Sequence, residues 1–328
     1  MKRKDTDFLH ATTRVRALER QLLNKERTER MLDAKSVAEA MKLLPEMGYD
    51  EVNPPTMSGL GAVLSRARGA TYALLRGISP IPALVDVFAM KYDYHNAKAL
   101  IKAEARGVSA APLLVDVGRI SAEKLESALR MREFRELPDS MRHAVEEARD
   151  VLSRTEDPRL ADVILDRACF AEMLSLAKEI GDKYLIGYVK LQIDAANLRS
   201  VVRATRQKQS MQVLREMLLP GGEVELGALL SPDGLAELYR GSALEAAAEE
   251  GVRAMSGSAD FVRFEKLCDD GITEYLKGAK LIPFGAAALV AYLAAKETEI
   301  TTLRIILAGK SEDLSVDEIR ERLRAAYV

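Results

Sequence analysis

The chain has 328 residues, of which 48% are hydrophobic and 30% charged, and it contains no Trp. This length suggests roughly two or three domains with a large buried core. A formal net charge of −2 argues against a broad nucleic-acid-binding surface, which needs a basic excess. The two cysteines, Cys169 and Cys268, lack a C-x-x-C spacing. They are expected to be reduced, buried side chains and not a disulfide or a metal site.

The beginning of the chain predicts a basic amphipathic helix. Apolar residues recur at helical spacing from Phe8 to about Arg30, and residues 2–30 hold nine Lys or Arg against five Asp or Glu. A second helix is expected from about Asp33 to Leu44, with Asp33 at its N-cap. The charged face of the first helix is a solvated surface on the simplest interpretation. A dock for an acidic partner is the alternative.

One short helical pattern occurs three times, and its acids are separated by 101 and then 105 residues. Each copy has an acid, a polar residue three positions later and a cation five positions later. Recurrence at a nearly fixed period predicts a repeated architecture. The copies are Asp93, Asn96 and Lys98; Asp194, Asn197 and Arg199; and Glu299, Thr302 and Arg304.

On a helix, the acid and the polar residue of each copy extend an apolar stripe, and the cation lies on its flank. Buried polar side chains need partners, since an unpaired one costs on the order of 1–3 kcal/mol. The pattern therefore predicts a structural polar contact that fastens neighbouring helices in every copy. A ligand or ion site in each copy is the alternative.

A second threefold element is a helix start that follows each signature. Ser121, Ser231 and Ser315 stand at predicted N-caps, each with an acid two residues later. Pro232 fits the first helical position after Ser231. Glu318 forms a predicted capping box with Ser315.

These patterns predict an all-α fold built from three similar helical-bundle repeats, because no stretch has sustained strand alternation. The repeats are predicted at residues 1–137, 138–245 and 246–328. Three such units can close into a ring or funnel with pseudo-threefold symmetry, or stack into an open solenoid. Closure would leave a central cavity for a partner.

No catalytic, cofactor or metal constellation is apparent in the sequence. His10, His95 and His143 lie far apart, and neither a phosphate-binding loop nor a nucleophile elbow is present. No enzyme activity is therefore expected.

The most apolar stretch, residues 281–295, is shorter than the ~20 residues that a bilayer requires and contains Pro283 and Gly285. It predicts a buried helix after a turn. The beginning of the chain has no apolar run typical of a signal peptide, so a cytoplasmic location is expected.

The stretch KYDYHNAKALIKA, residues 91–103, strongly resembles a motif of the C subunit of V-type (V/A-type) ATP synthases, the counterpart of the d subunit of eukaryotic V-ATPases. The resemblance continues along essentially the whole chain. It includes RVRALERQLL (14–23), KLQIDAANLRSVVRA (190–204), LPGGEV (219–224), KETEITTLRIILAGK (296–310) and IRERLRAAYV (319–328). Each motif alone is moderately specific, whereas the ordered set is highly specific.

The resemblance implies a funnel of three helical bundles, peripheral on the cytoplasmic face of the membrane. Its partners would be the central-stalk subunits and the proteolipid ring, with no nucleic acid, cofactor or small-molecule substrate. The implied function is transmission of torque between ATP turnover and transport of protons or sodium ions. The third signature departs from the family pattern at Glu299 and Thr302. A cytosolic α-helical repeat scaffold that binds a protein partner is the alternative, and an enzyme comes third.

Overall fold

The computed structural model describes residues 5–231 and 234–328, and the regular elements in these ranges are all helical. The predicted all-α class is therefore confirmed. The α-helices are α1 (Leu9–Glu19), α2 (Lys25–Asp33), α3 (Val37–Met41), α4 (Met57–Ile78), α5 (Ala83–Arg106), α6 (Ala122–Met131), α7 (Asp139–Thr155), α8 (Pro158–Ile180), α9 (Lys183–Arg206), α10 (Met211–Met217), α11 (Leu226–Leu229), α12 (Leu235–Leu238), α13 (Glu245–Met255), α14 (Phe261–Lys277), α15 (Ala287–Ser311) and α16 (Val316–Arg322). Short 3₁₀ helices occupy Asp5–Phe8, Leu44–Met47, Ala111–Leu113, Phe134–Glu136 and Gly278–Leu281.

The prediction of one helix from Phe8 to about Arg30 is wrong, because the chain leaves the helical path between α1 and α2. Asn24 caps α2 by accepting a bond from the backbone N–H of Arg27 at 2.9 Å. The Arg27 guanidinium donates to the carbonyl of Arg20 at 3.1 Å and to that of Leu22 at 2.8 Å. These bonds stabilise a connector that amphipathic periodicity does not reveal.

The next predicted helix start is also displaced. Asp33 is the last residue of α2, and α3 begins at Val37 after Ser36. The Ser36 hydroxyl accepts a bond from the backbone N–H of Glu39, which satisfies a free donor of the first turn. The N-cap prediction was therefore wrong by three residues at this helix.

The three signatures lie on the three long helices α5, α9 and α15, which have 24, 24 and 25 residues. Helix α5 ends at Arg106 and is capped by Gly107, which has a left-handed φ of 65° and donates its N–H to the carbonyl of Ala103. Helix α15 begins after Gly285, whose φ is 94°. The helix predicted after the Pro-x-Gly turn is thus present.

The chain divides into two compact units, and each is discontinuous in sequence. Unit 1 comprises Met1–Pro80, Leu198–Gln209 and Gly227–Val328, and unit 2 comprises Ile81–Asn197 and Ser210–Leu226. The division into three repeats at residues 137 and 245 stays a prediction.

In unit 1, α15 packs against α1, α4 and α14. Its signature stripe continues into a core where Leu303 and Ile306 join Leu60 and Leu64 of α4. Burying one such side chain contributes about 1.5–3 kcal/mol, so this apolar contact fixes the rotation of α15. That rotation also directs Glu299 inward, where it is 5% exposed.

In unit 2, α5 packs against α6, α7 and α8, and α7 packs along α8. Phe88 of α5 and Tyr188 of α9 stack with ring centroids 5.1 Å apart. The signature residues Asp93 and Asn96 are fully buried on the same helix. The polar half of the stripe is therefore enclosed in both units.

Candidate functional site

The first signature binds the connector between α5 and α6. Asp93 accepts a bond from the backbone N–H of Ile120 at 3.1 Å and one from the Arg119 Nε at 3.0 Å. Asn96 forms a reciprocal pair with the backbone of Val115, donating and accepting at 2.9 Å. A single amide thus satisfies both polar groups of one connector residue.

The second signature repeats this arrangement on α9. Asp194 accepts bonds from the backbone N–H groups of Glu223 at 2.9 Å and Val224 at 3.2 Å. Asn197 donates to the carbonyl of Leu219 at 2.8 Å and accepts from its N–H at 2.7 Å. The asparagine pair and one backbone bond of the acid use the same atoms in both copies. The second bond of the acid comes from the Arg119 side chain in the first copy and from the Glu223 backbone in the second.

The third signature binds a segment far away in sequence. Glu299 accepts a bond from the backbone N–H of Leu23 and one from the Tyr49 hydroxyl, both at 2.5 Å. Lys296 donates to the same carboxylate at 2.6 Å. Thr302 is buried at the position of the two asparagines.

The three acids contact the same register of their connectors. In each copy the acid accepts the N–H of the residue that lies two positions before the first residue of a helix. The pairs of bonded residue and helix start are Ile120 and Ala122, Val224 and Leu226, and Leu23 and Lys25.

Glycine gives two of the connectors their close approach to the acid. A β-carbon on Gly118 would lie 2.1 Å from the Asp93 Oδ1, and one on Gly222 would lie 2.0 Å from the Asp194 Oδ1. Both glycines stand two residues before the bonded N–H. Gln21 occupies this position in the third copy, where the acid is Glu299, which is longer by one methylene.

The role of these glycines was not predicted from the sequence, although their spacing is visible in it. Gly118 and Gly222 recur in the two connectors, 25 and 28 residues after their acids. Arg119 was not predicted either; it bonds Asp93 at 3.0 Å and Glu172 of α8 at 2.8 Å. Tyr94 also donates to Glu172 at 2.8 Å, so this first copy has an additional buried network.

The cations of the first two signatures bond the neighbouring helix. Lys98 contacts Asp166 of α8 at 2.5 Å. Arg199 contacts Glu265 at 2.7 Å and Asp269 at 2.5 Å, both on α14. Asp166 and Glu265 each stand three residues before a buried cysteine, Cys169 and Cys268.

The polar partners differ from the helix-to-helix contacts that the stripe predicted. The acids and asparagines bind connectors, because backbone groups there have no partner in a helix ladder. The bonds between helices come from the flanking cations. Arg304 in the third copy lies at an exposed position.

Burial dominates the electrostatics of the signature acids. It raises the pKa of Asp93 and of Asp194. The hydrogen bonds that these carboxylates accept from the connectors lower the pKa, but by less than burial raises it. Burial also raises the pKa of Tyr49, which donates to Glu299. The pKa of the Cys268 thiol rises to about 12 for the same reason, so this cysteine is not an activated nucleophile.

The predicted N-caps have individual outcomes. Ser121 accepts a bond from the backbone N–H of Lys124 at 3.3 Å. Ser315 and Glu318 form a reciprocal capping box at the start of α16. The predicted start at Pro232 and Asp233, after Ser231, lies outside the described residues. Helix α12, which follows, has Gly234 at its N-cap position.

A surface cavity of about 770 Å³ in unit 2 has a charged lining. Arg149 in its wall bonds Glu104 at 2.5 Å and lies 5.9 Å from the ring centroid of Phe134. Within residues 5–231 and 234–328, no group of three or more His, Cys, Asp or Glu residues could hold a metal ion. No helix in the described part of the chain has both the length and the apolar character needed to cross a membrane.

Comparison with known proteins gives a family for the chain. The family model described as ATP synthase (C/AC39) subunit matches residues 11–322. The C subunit of the V-type sodium ATPase of Enterococcus hirae is 28% identical over 320 residues, which cover 95% of this chain and 97% of that protein.

Two archaeal relatives align over a similar extent. The C subunit of the A-type ATP synthase of Methanocaldococcus jannaschii is 26% identical, with 96% of this chain and 86% of that protein covered. The corresponding protein of Thermococcus onnurineus is 23% identical, with 97% and 90% covered. Because the family model spans nearly the whole sequence, the chain belongs to the ATP synthase (C/AC39) subunit family.

Proposed function

We propose that this chain is the non-catalytic rotor adaptor of a V-type ATP synthase or ATPase. It seats the central stalk on the membrane proteolipid ring and transmits torque between ATP turnover and transport of protons or sodium ions. The observation that carries this proposal is the family match over residues 11–322, supported by relatives named as the C subunits of V-type and A-type complexes.

In this proposal, three similar helical bundles are arranged with pseudo-threefold symmetry as a funnel on the cytoplasmic face of the membrane. In each copy the acid accepts the backbone N–H of the residue two positions before a helix start: Ile120, Val224 and Leu23. This shared position supports three equivalent units. The cavity that these bundles would enclose would receive the foot of the central stalk.

The repeated signature acts in this proposal as a structural lock. A part that transmits torque must not change shape under load, and fully satisfied buried polar networks make a fold rigid. The backbone pairs made by Asn96 and Asn197 hold each connector at a fixed point. Each signature then contributes stiffness and takes no part in bond-making chemistry.

The proposal is tested by gentle detergent extraction of the whole motor through an affinity tag on its head. The chain should co-purify with the central-stalk subunits and the proteolipid ring. Absence of the chain from an otherwise intact motor contradicts the proposal. Capture of the chain only with a protein outside the motor supports the cytosolic scaffold instead.

A depletion experiment tests the coupling role. A motor rebuilt without the chain should hydrolyse ATP in its head but should not move ions, and added wild-type chain should restore transport. Added Gly222→Ala chain should restore less, because its connector is displaced from Asp194. Gly227→Ala is the matched control, since a β-carbon there meets no atom within 4 Å. Ion transport in the depleted motor would contradict the coupling role.

A further inference from the structure

The third signature obtains its connector from the opposite direction along the chain. Asp93 and Asp194 bind N–H groups that lie 27 and 30 residues downstream. Glu299 binds the N–H of Leu23, which lies 276 residues upstream. The helix that follows the bonded residue is α2, which takes the place that α6 and α11 have in the other copies.

We infer that residues 21–33, which comprise the third connector and α2, complete the third repeat through a noncovalent contact with α15. A C-terminal strap, residues 323–327, locks this contact. The third connector therefore opens before the other two. Closing a long loop costs more entropy than closing a short one. The third connector, whose bonded N–H lies 276 residues from its acid, is therefore harder to hold than the other two, whose bonded N–H groups lie 27 and 30 residues from theirs.

The third connector also lacks the reciprocal amide pair of the other copies. Val115 and Leu219, which pair with asparagines, each lie five residues before the N–H that bonds the acid. The corresponding residue in the third copy is Leu18, which lies inside α1. Its backbone belongs to a helix, and Thr302, which stands at the position of the two asparagines, has no side-chain amide.

The strap is bound to α14 along its length. Lys266 donates to the carbonyl of Leu323 at 2.5 Å, and Arg324 donates to Asp269 at 2.6 Å. The backbone N–H of Ala325 donates to Asp270 at 2.5 Å.

The end of the strap reaches α1, immediately before the third connector. Tyr327 is 5% exposed and donates its hydroxyl proton to Glu19 at 2.9 Å. Lys280 donates to the Tyr327 carbonyl at 2.7 Å and lies 4.7 Å from the ring centroid. Arg16 bonds both Glu19 and the carbonyl of Ala279. The strap and Arg16 thus hold the last turn of α1 against the 3₁₀ helix Gly278–Leu281, which follows α14.

A small cavity shows that the connector, the signature helix and the strap meet. Its volume is about 40 Å³, and its lining includes Leu23, Glu299, Thr302 and Tyr327. This space holds about one water molecule, so removing the Tyr327 side chain would open a route for solvent to the Leu23 amide.

Hydrogen exchange of the full chain in solution tests the inference. Tyr327→Ala should accelerate amide exchange at residues 21–24 by about tenfold. This factor corresponds to a loss of local opening free energy equal to roughly one hydrogen bond. Exchange at residues 115–120 and 219–224 should not change. Equal acceleration in all three connectors, or none at residues 21–24, would overturn the inference.

Two further variants keep the test decisive if Tyr327→Ala folds poorly. Tyr327→Phe retains the ring and the carbonyl bonded by Lys280 and loses only the hydroxyl, with its bonds to Glu19 and from Arg16. It should accelerate exchange at residues 21–24 by a smaller factor. Glu299→Ala should expose residues 21–24 and leave residues 312–316, which directly follow α15, unchanged. Acceleration confined to residues 312–316 would show that the third connector lies downstream.

Discussion

Asp194 and Gly222 approach so closely that a β-carbon on the glycine would lie 2.0 Å from the Oδ1 of the carboxylate. This contact places the N–H groups of Glu223 and Val224 within hydrogen-bonding distance of Asp194. Gly118 has the same relationship to Asp93, with a distance of 2.1 Å. In two copies, therefore, the acid needs a glycine at this position of the connector, because only a residue without a β-carbon lets the backbone approach the carboxylate so closely.

Gly222→Ala should destabilise the chain by about 2 kcal/mol, because the added methyl forces the connector away from Asp194. Urea unfolding of the variant and the wild type measures the difference. Gly227→Ala is the control and should change stability little, since its β-carbon meets no atom within 4 Å. In an Asp194→Ala background, Gly222→Ala should cost clearly less than in wild type. Simple additivity of the two changes would contradict the pairing.

Asn197→Leu should destabilise the chain by about 3 kcal/mol, because it leaves the buried N–H and C=O of Leu219 without partners. The measurement is the free energy of unfolding in urea, with Gln212→Leu on an exposed position of α10 as the control. The control should lie within about 0.5 kcal/mol of wild type. Unchanged stability together with loss of a bound small ligand would refute the structural role of Asn197.

The long helices and their polar stripe could be predicted because both depend on local periodicity. Burial of Asn96 and Asn197 followed from their place on the apolar stripe of α5 and α9. The capping box of Ser315 and Glu318 likewise depends on residues three positions apart.

The partner of Glu299 could not be predicted in this way. The repeat period directs attention to residues after α15, whereas the bonded N–H belongs to Leu23. The break between α1 and α2 was missed for a related reason, since Arg27 caps carbonyls that an amphipathic pattern treats as helical. Both features depend on tertiary contacts that override local pattern.

Glu299→Gln should destabilise the chain by about 3 kcal/mol, because Lys296, 8% exposed, then keeps a buried charge without a carboxylate. The second change Lys296→Met should recover part of this loss by removing the unpaired charge. Chemical denaturation of the two single variants and the double variant measures both effects.

The pair Lys277 and Glu274, also three residues apart, is much more accessible to water, since Lys277 is half-buried and Glu274 exposed, and it is the control for the buried pair. Glu274→Gln should change the free energy of unfolding by less than about 0.5 kcal/mol, because water screens an exposed pair. A loss from Glu299→Gln as small as that of the control would show that burial of Lys296 does not govern the third signature.

The carboxyl of Asp194 should give the chain a distinctive pH dependence. Burial raises its pKa above the ordinary value of 3.8, so the folded chain binds this proton more tightly than the unfolded chain. The stabilising contribution is therefore fully present below the unfolded pKa and is lost as the pH rises through the folded pKa. Urea unfolding across the acid range, compared with Asp194→Asn, should show the wild-type advantage falling with rising pH and then becoming constant. An advantage that grows with pH would mean that the bonds from Glu223 and Val224 outweigh burial.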